Sequence, residues 1–328
     1  MSKVLITGGA GYVGSVLVPK VLDKGYGVRV LDLMLFGEKG LENVKDRCEI
    51  VQGSITDSKL VKKSLEGVDY VIHLASIAND PCCDLNPQLT EKVNYEATKN
   101  LVLTAKESGI KRFIFASSGS VYGIQKEKRI TEDWPVNPQT IYADTKARAE
   151  KIIREQNDKN FVTTILRAAT TAGYSPRMRL DLAVNIFTEQ AINRGWLSVH
   201  GGSQMRPSID VRDITDYYTF MLDAPAEKIS GETFNASNDN YSVLEIANIV
   251  KDVVGKNVEV KIEPVVDTRN YPMVSEKITN VLGLKPKYGV KESVENLKDA
   301  FERGLIPNPS DVIYRNIETM KRIPNLQF

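Results

Sequence analysis

The stretch "KVLITGGAGYVGS", residues 3–15, constrains this chain more than any other. A β-branched, apolar run is stopped by glycines, and an apolar helical pattern opens behind them, out to about Lys24. That is a strand joined to a helix through one tight turn. Gly8 permits the turn, Gly11 lets backbone approach a diphosphate, and Gly14 allows helix and sheet to pack closely. The helix start, with Tyr12 and Val13, offers free N–H groups and a positive dipole end to phosphate. A second strand, "YGVRVLD", ends at Asp32, 18 residues after Gly14. Its carboxylate can accept both ribose hydroxyls of an adenosine half and would repel a 2′-phosphate. No Lys or Arg follows until Lys39. The unit therefore points to NAD rather than NADP.

The rest of the first half keeps the same rhythm. "CEIVQGS", "VDYVIHLA", "KRFIFASS" and "FVTTILRAA" read as strands. Helical patterns fall at 57–67, 90–108 and 140–157. Apolar strands alternating with helices make parallel strands with crossover helices, an α/β Rossmann-type doubly wound sheet over residues 1–172. Beyond 172 the alternation weakens. Helices are expected at 181–194, 213–223, 242–255 and 290–303, with a strand in "NVEVKIEPV". Residues 173–328 read as a smaller mixed α/β lobe for substrate, with about 206–223 returning to the first.

Charge excludes some partners. The chain has 43 basic and 42 acidic residues, net +1, so no basic surplus suggests nucleic acid. No apolar run reaches the roughly 18 to 20 residues that span a membrane. The N-terminus lacks a signal-peptide pattern. Cys48, Cys82 and Cys83 are odd in number and two are adjacent. That is no disulfide framework, and a reducing, cytoplasmic setting is expected. The two histidines, His73 and His200, have no metal-ligand spacing. His73 closes an apolar run and reads as structural.

Two stretches carry chemistry. "YADTK" sets Tyr142 and Lys146 four apart, on one helix face. A tyrosine is a poor base near neutral pH, and an adjacent ammonium lowers its pKa. Such a pair can take a proton from an alcohol while hydride leaves for a nicotinamide. "SSGSVYG", residues 117–123, follows the fifth strand and supplies hydroxyls.

Together with "VIHLAS", "VNYEATKNLV", "ILRAAT", "RPSIDVRDI" and "ETFNAS", these stretches resemble the extended short-chain dehydrogenase/reductases. This is the group of NAD-dependent nucleotide-sugar epimerases, dehydratases and reductases, and the likeness runs from residue 1 to about 300. It implies that Ser118 bonds the reacting oxygen, Tyr142 is the acid/base, and Lys146 also holds the nicotinamide ribose. Ser117 would lie beside the nicotinamide. Ser54 and Ile55 would stand at the adenine, with Ser replacing the usual Asp. Leu74, Ala75 and Ser76 would pass the diphosphate and ribose, and Asn94 would support the cofactor site. Ser120 is expected to pack in the turn, and Tyr122 to order it. Arg206 and Arg269 match arginines that reach the substrate's nucleotide or diphosphate. Asn185 is a further substrate candidate, with Asp181 as the alternative at that place. Arg177 and Arg179 could read an acidic group such as a uronate carboxylate. Relatives also dimerise through a four-helix bundle, here helices 90–108 and 140–157; an exposed apolar stripe would be its sign.

The 4,6-dehydratases carry an acidic pair after the catalytic Thr or Ser. Here those places are Gly119 and Ser120, so 4,6-dehydration is not expected. An epimerase is expected first, with hydride leaving and returning to the other face of a keto sugar. A net dehydrogenase or reductase on the same substrates is the alternative, and a non-catalytic NAD-binding regulator a third. The loop "ANDPCCDLNPQ" opens over the sheet's carboxyl edge. It reads as a lid with incidental thiols rather than a site for a cysteine nucleophile.

Overall fold

The computed structural model describes residues 1–125, 127, 129–264 and 271–323. Strand β1 (Lys3–Thr7) sends Val4 and Ile6 into one core and Leu5 into another. A strand covered on both faces is apolar throughout, which explains why "KVLIT" lacks alternation. It pairs in parallel with β2 (Gly27–Asp32) on one side and with β4 (Tyr70–His73) on the other. β3 (Glu49–Gln52) extends the sheet beyond β2, and β5 (Arg112–Ser118) and β6 (Val162–Ala168) extend it beyond β4.

A seventh strand closes the far edge. Between β6 and this strand come β7 (Thr170–Ala172), β8 (Trp196–His200) and β9 (Met205–Asp210). Then β10 (Glu232–Ala236) returns and pairs in parallel with β6. The second half thus gives the first sheet more than the 206–223 segment. Five residues with no clear period, "ETFNA", left this strand unread.

Helices α1 (Gly14–Asp23), α2 (Ser58–Ser64), α3 (Ala97–Glu107), α4 (Ile141–Gln156), α5 (Ala183–Arg194) and α6 (Val211–Met221) follow in chain order. On one sheet face, Leu17, Val18 and Val21 of α1 share a core with Tyr217 and Met221 of α6. The Lys20 ammonium on α1 donates to the Arg212 carbonyl at 2.7 Å and pairs with Asp216. On the other face, Val61, Leu101, Val102, Ala149 and Ile153 of α2, α3 and α4 cover Phe113, Phe115 and Ile165. A third core joins α5 to α7 (Val243–Val254) and α8 (Val290–Glu302) around β8. β8 pairs with β12 (Glu259–Glu263), while β9 lies between β7 and β11 (Asn240–Ser242).

Among the described residues no helix is long and apolar enough to cross a membrane. None of their exposed large apolar side chains lies on α3 or α4. Instead Arg148 pairs with Glu91 and Asp144 there. The apolar side chains of these helices are buried or, like Leu103 and Ile152, half-buried.

His73 is fully buried at the end of β4, as its sequence setting implies. Its ring nitrogens meet the hydroxyls of Thr7 (2.6 Å) and Thr98 (2.8 Å), and it stacks on Phe115. Burial, aided by the Lys146 charge, pushes its pKa down to about 3. The unfolded chain takes up this proton as pH falls below about 6.5, whereas the folded chain resists until about 3. The stabilisation is present above pH 6.5 and lost on acidification, and it amounts to on the order of a few kcal/mol. In His73→Gln, urea titrations at pH 7.5 and 5 should show a smaller loss of stability than in the native chain. An equal loss in both would remove His73 from the account.

Candidate active site

From β1 the chain runs outward to β2 and β3, then crosses back to β4 on the other side of β1. Such a reversal leaves a crevice at the strands' carboxyl ends. A cavity of about 560 Å³ opens there. Its floor is the glycine loop. Gly8 has φ +74°, and a Cβ on it would lie 2.7 Å from the Ala75 nitrogen; one on Gly14 would lie 2.4 Å from the Gly8 oxygen. Only glycine fits either place. Gly11, Tyr12 and Val13 line the same floor. Asp32 lines the wall and accepts N–H groups from Ala10 (2.9 Å) and Met34 (2.8 Å). Burial raises its carboxyl pKa, opposed by these N–H groups and by the nearby Arg177 charge.

The other expected cofactor residues divide. Ser54, Ile55, Leu74 and Ser76 line the cavity, while Ala75 packs behind Gly8. The Ser54 hydroxyl is bonded to Thr56. Asn94 is buried away from the cavity, in a π-helical turn ahead of α3. Its amide clasps the backbone of Ile77 on both sides, at 2.8 and 2.9 Å, and so shapes the wall from behind.

The hydroxyl turn and α4 meet at the other end. Ser117, Ser118, Ser120, Tyr142 and Lys146 all line the cavity. The Ser118 hydroxyl is near enough to the Tyr142 phenol to lower its pKa. Ser120 does more than pack: its N–H (3.2 Å) and its hydroxyl (3.0 Å) both donate to Ser118 Oγ. The Ser117 hydroxyl donates a hydrogen bond to Glu150 at 2.5 Å. Tyr122 is buried and donates to Asn235 (2.7 Å), an ordering role in keeping with its position in the turn.

Lys146 departs from expectation. Its ammonium donates to the Ala116 carbonyl (2.8 Å) and sits 4.8 Å from the Phe115 ring centre. Burial pushes it down to about 8. Burial, then the neighbouring Cys83 and Asp80, push the Tyr142 phenol above its ordinary range, and only the Ser118 hydroxyl and the Arg179 charge oppose this. In this arrangement the ammonium's hydrogen bond goes to the Ala116 carbonyl and not to the phenol.

The substrate candidates also divide. Arg206 and Arg179 line the cavity, and Arg269 lies outside the described residues. Arg179 holds Asp181 in a two-pronged pair at 2.9 and 3.1 Å through Nε and Nη2. Asn185 does not reach the cavity. It is fully buried, accepts the Gly173 N–H (3.1 Å), and donates to Tyr12 (3.1 Å) and to the Arg179 carbonyl (2.9 Å). It supports neighbours of the site, while Asp181, the alternative, lines it.

In the loop after β4, Asn79 takes a strained φ of +77°, and with Asp80 and Pro81 it lines the cavity. The adjacent cysteines do not. Burial pushes Cys82 up to about 11 and Cys83 up to about 12, so both stay thiols. Phe36, Asn316 and Met320 line the cavity as well and were not anticipated.

A model of the NAD dependent epimerase/dehydratase family matches residues 4–237. The chain belongs to that family, within the extended short-chain dehydrogenase/reductases. It is 30% identical to a UDP-glucose 4-epimerase of Lactobacillus helveticus, covering 87% of this chain and 92% of that one. It is 29% identical to a dTDP-D-glucose 4,6-dehydratase of Mus musculus, covering 94% and 93%. The solved UDP-glucose 4-epimerase of Thermotoga maritima with UDP-glucose superposes with a TM-score of 0.84 at 26% identity, over 92% of this chain and 99% of that one. NAD is the cofactor. The residues fit it: the loop that only glycines can form would take the diphosphate, and Asp32 keeps acceptor capacity that would serve ribose hydroxyls. The protein is an enzyme of the epimerase/dehydratase kind.

Behind the site, Glu150 forms a buried pair with Arg167, at 3.0 and 2.7 Å, while holding Ser117. Glu150→Gln leaves a buried arginine unpaired and should cost about 3–5 kcal/mol in denaturant unfolding. The double variant Glu150→Leu, Arg167→Met should recover most of that stability but not kcat, since Ser117 stays unanchored. Recovery of both would make the pair merely structural.

Proposed function

We propose that the enzyme is an NAD-dependent epimerase of a nucleotide-activated sugar. One observation carries this reading: the cavity holds the Ser118–Tyr142–Lys146 set and, among its described lining residues, no acid at the two places after Ser118 where a dehydratase carries its pair. Its carboxylates are engaged. Asp32 accepts backbone N–H groups, Asp181 holds Arg179, and Asp80 accepts the Thr140 hydroxyl at 2.7 Å. A dehydratase acid at position 119 would also have to displace the Met273 side chain. A Cβ on Gly119 would lie 2.1 Å from Met273 Sδ.

NAD, held by the glycine loop and Asp32, would supply reversible hydride acceptance beside the sugar. Ser118 holds the reacting oxygen, and Ser120 holds Ser118. Tyr142 takes the hydroxyl proton as hydride leaves and gives it back when hydride returns to the opposite face of the keto sugar. Lys146, swung from Ala116, would stabilise the phenolate. Arg206 and Arg269 are the proposed contacts for the nucleotide diphosphate, since a guanidinium fork suits paired oxygens. A cytoplasmic setting and a homodimer through α3 and α4 belong to the same proposal. Given the polar surface there, sedimentation should find a salt-sensitive dimer; a monomer at every salt concentration would remove that part.

Incubation with a panel of UDP- and dTDP-sugars should give an epimer mixture by NMR, with no stoichiometric rise in NADH absorbance. Stoichiometric NADH would make the enzyme a net dehydrogenase, and loss of water a dehydratase. Tyr142→Phe should lower kcat by about 10²-fold or more with little change in melting temperature. Full turnover in that variant would overturn the assignment of the base.

A further inference from the structure

We propose that Arg177 binds the diphosphate of the dinucleotide, held in place from the far end of the chain by Asn316. The segment bearing Arg177 is fastened to the start of α1. The Ser175 hydroxyl donates to the Tyr12 carbonyl (2.7 Å) and lies 2.7 Å from the Ser15 hydroxyl. The Arg177 N–H reaches Ser15 Oγ at 3.4 Å. The side chain lies over the Phe36 ring, 3.7 Å from its centre, and donates from Nη2 to Asn316 Oδ1 at 2.5 Å. Arg177 is only 5% exposed, yet it lines the cavity.

Among the described residues no carboxylate forms an ion pair with this cation. Its Nε–H is buried without a partner. Asp32 and Asp181 are near enough to act on its charge, but Asp32 serves Ala10 and Met34, and Asp181 serves Arg179 and the Asn316 N–H. Burial and the like charge of Arg179 push its pKa down to about 9. A buried guanidinium in this state is costly unless an anion completes it. Its neighbours Ser15 and Phe36 belong to α1 and to the loop after β2, the parts that frame a dinucleotide. That favours the cofactor's diphosphate over the substrate's.

The hold on Arg177 comes from a C-terminal segment that the matched family model, ending at 237, does not reach. The Leu180 N–H donates to the Tyr314 carbonyl (2.8 Å), and the Asn316 N–H to Asp181 (3.0 Å). Met320 of the same segment lines the cavity. The segment thus closes one side of the cofactor site. The inference rests on that site and not on the choice of reaction, so either can fail alone.

The test is calorimetric titration of the full chain with NAD, adenosine, UDP and dTDP, in the native protein and in Arg177→Met, Arg177→Lys and Asn316→Ala. Arg177→Met should weaken NAD binding roughly ten- to a hundredfold and leave adenosine, UDP and dTDP within about twofold. Arg177→Lys should recover part of the loss. Asn316→Ala, which keeps the cation, should cost NAD several-fold and carries the comparison if Arg177→Met does not fold. Unchanged NAD affinity would overturn the proposal. Equal loss of NAD and adenosine would do so by showing a collapsed pocket, and loss confined to UDP or dTDP by placing the contact on the substrate.

Discussion

The approach of Gly8 to the backbone of Ala75 is the constraint on which the site depends. It brings the ends of β1 and β4 together where the sheet reverses its order. A side chain at Gly8 would push them apart and close the crevice into which a diphosphate must fit. The surroundings defend this contact. Thr7 and His73, one from each strand, bond to each other beneath it, and Asn94 clasps the chain just beyond β4. The cofactor site is thus a consequence of how two neighbouring strands are allowed to end.

Chemistry is added at the other end by a second meeting, of β5 with α4. Glu150 links them, since it accepts from Ser117 at the end of β5 while paired to Arg167 on β6. Ser118 then brings its hydroxyl near Tyr142, with Ser120 behind it. Met273 fills the space that an acid at position 119 would need. The proposed reaction rests on both what this packing presents and what it would have to displace.

Much of this was legible in the sequence, for physical reasons. The glycine spacing, the Asp32 position and the Tyr142–Lys146 interval are local, and local geometry follows from local residues. β10 was not legible, because a five-residue strand gets its identity from pairing with β6 and not from its own pattern. Asn185 and Asp181 stand four apart on the approach to and within α5, and only the helix's docking decides which of them faces the cavity. The orientation of Lys146 depends on the Ala116 carbonyl, a backbone group that no sequence pattern marks. Asn316 and Phe36 reach the cavity through contacts that cross the whole chain.

The central claim is that a hydride leaves one carbon of the sugar and returns to that same carbon on the other face. Conversion of a nucleotide sugar deuterated at the inverted carbon tests this directly, with the label located by NMR. Deuterium retained at that carbon in the epimerised product, with none taken up from deuterated water in the converse experiment, is the expected result. Label found on another carbon, or lost to solvent, would contradict it.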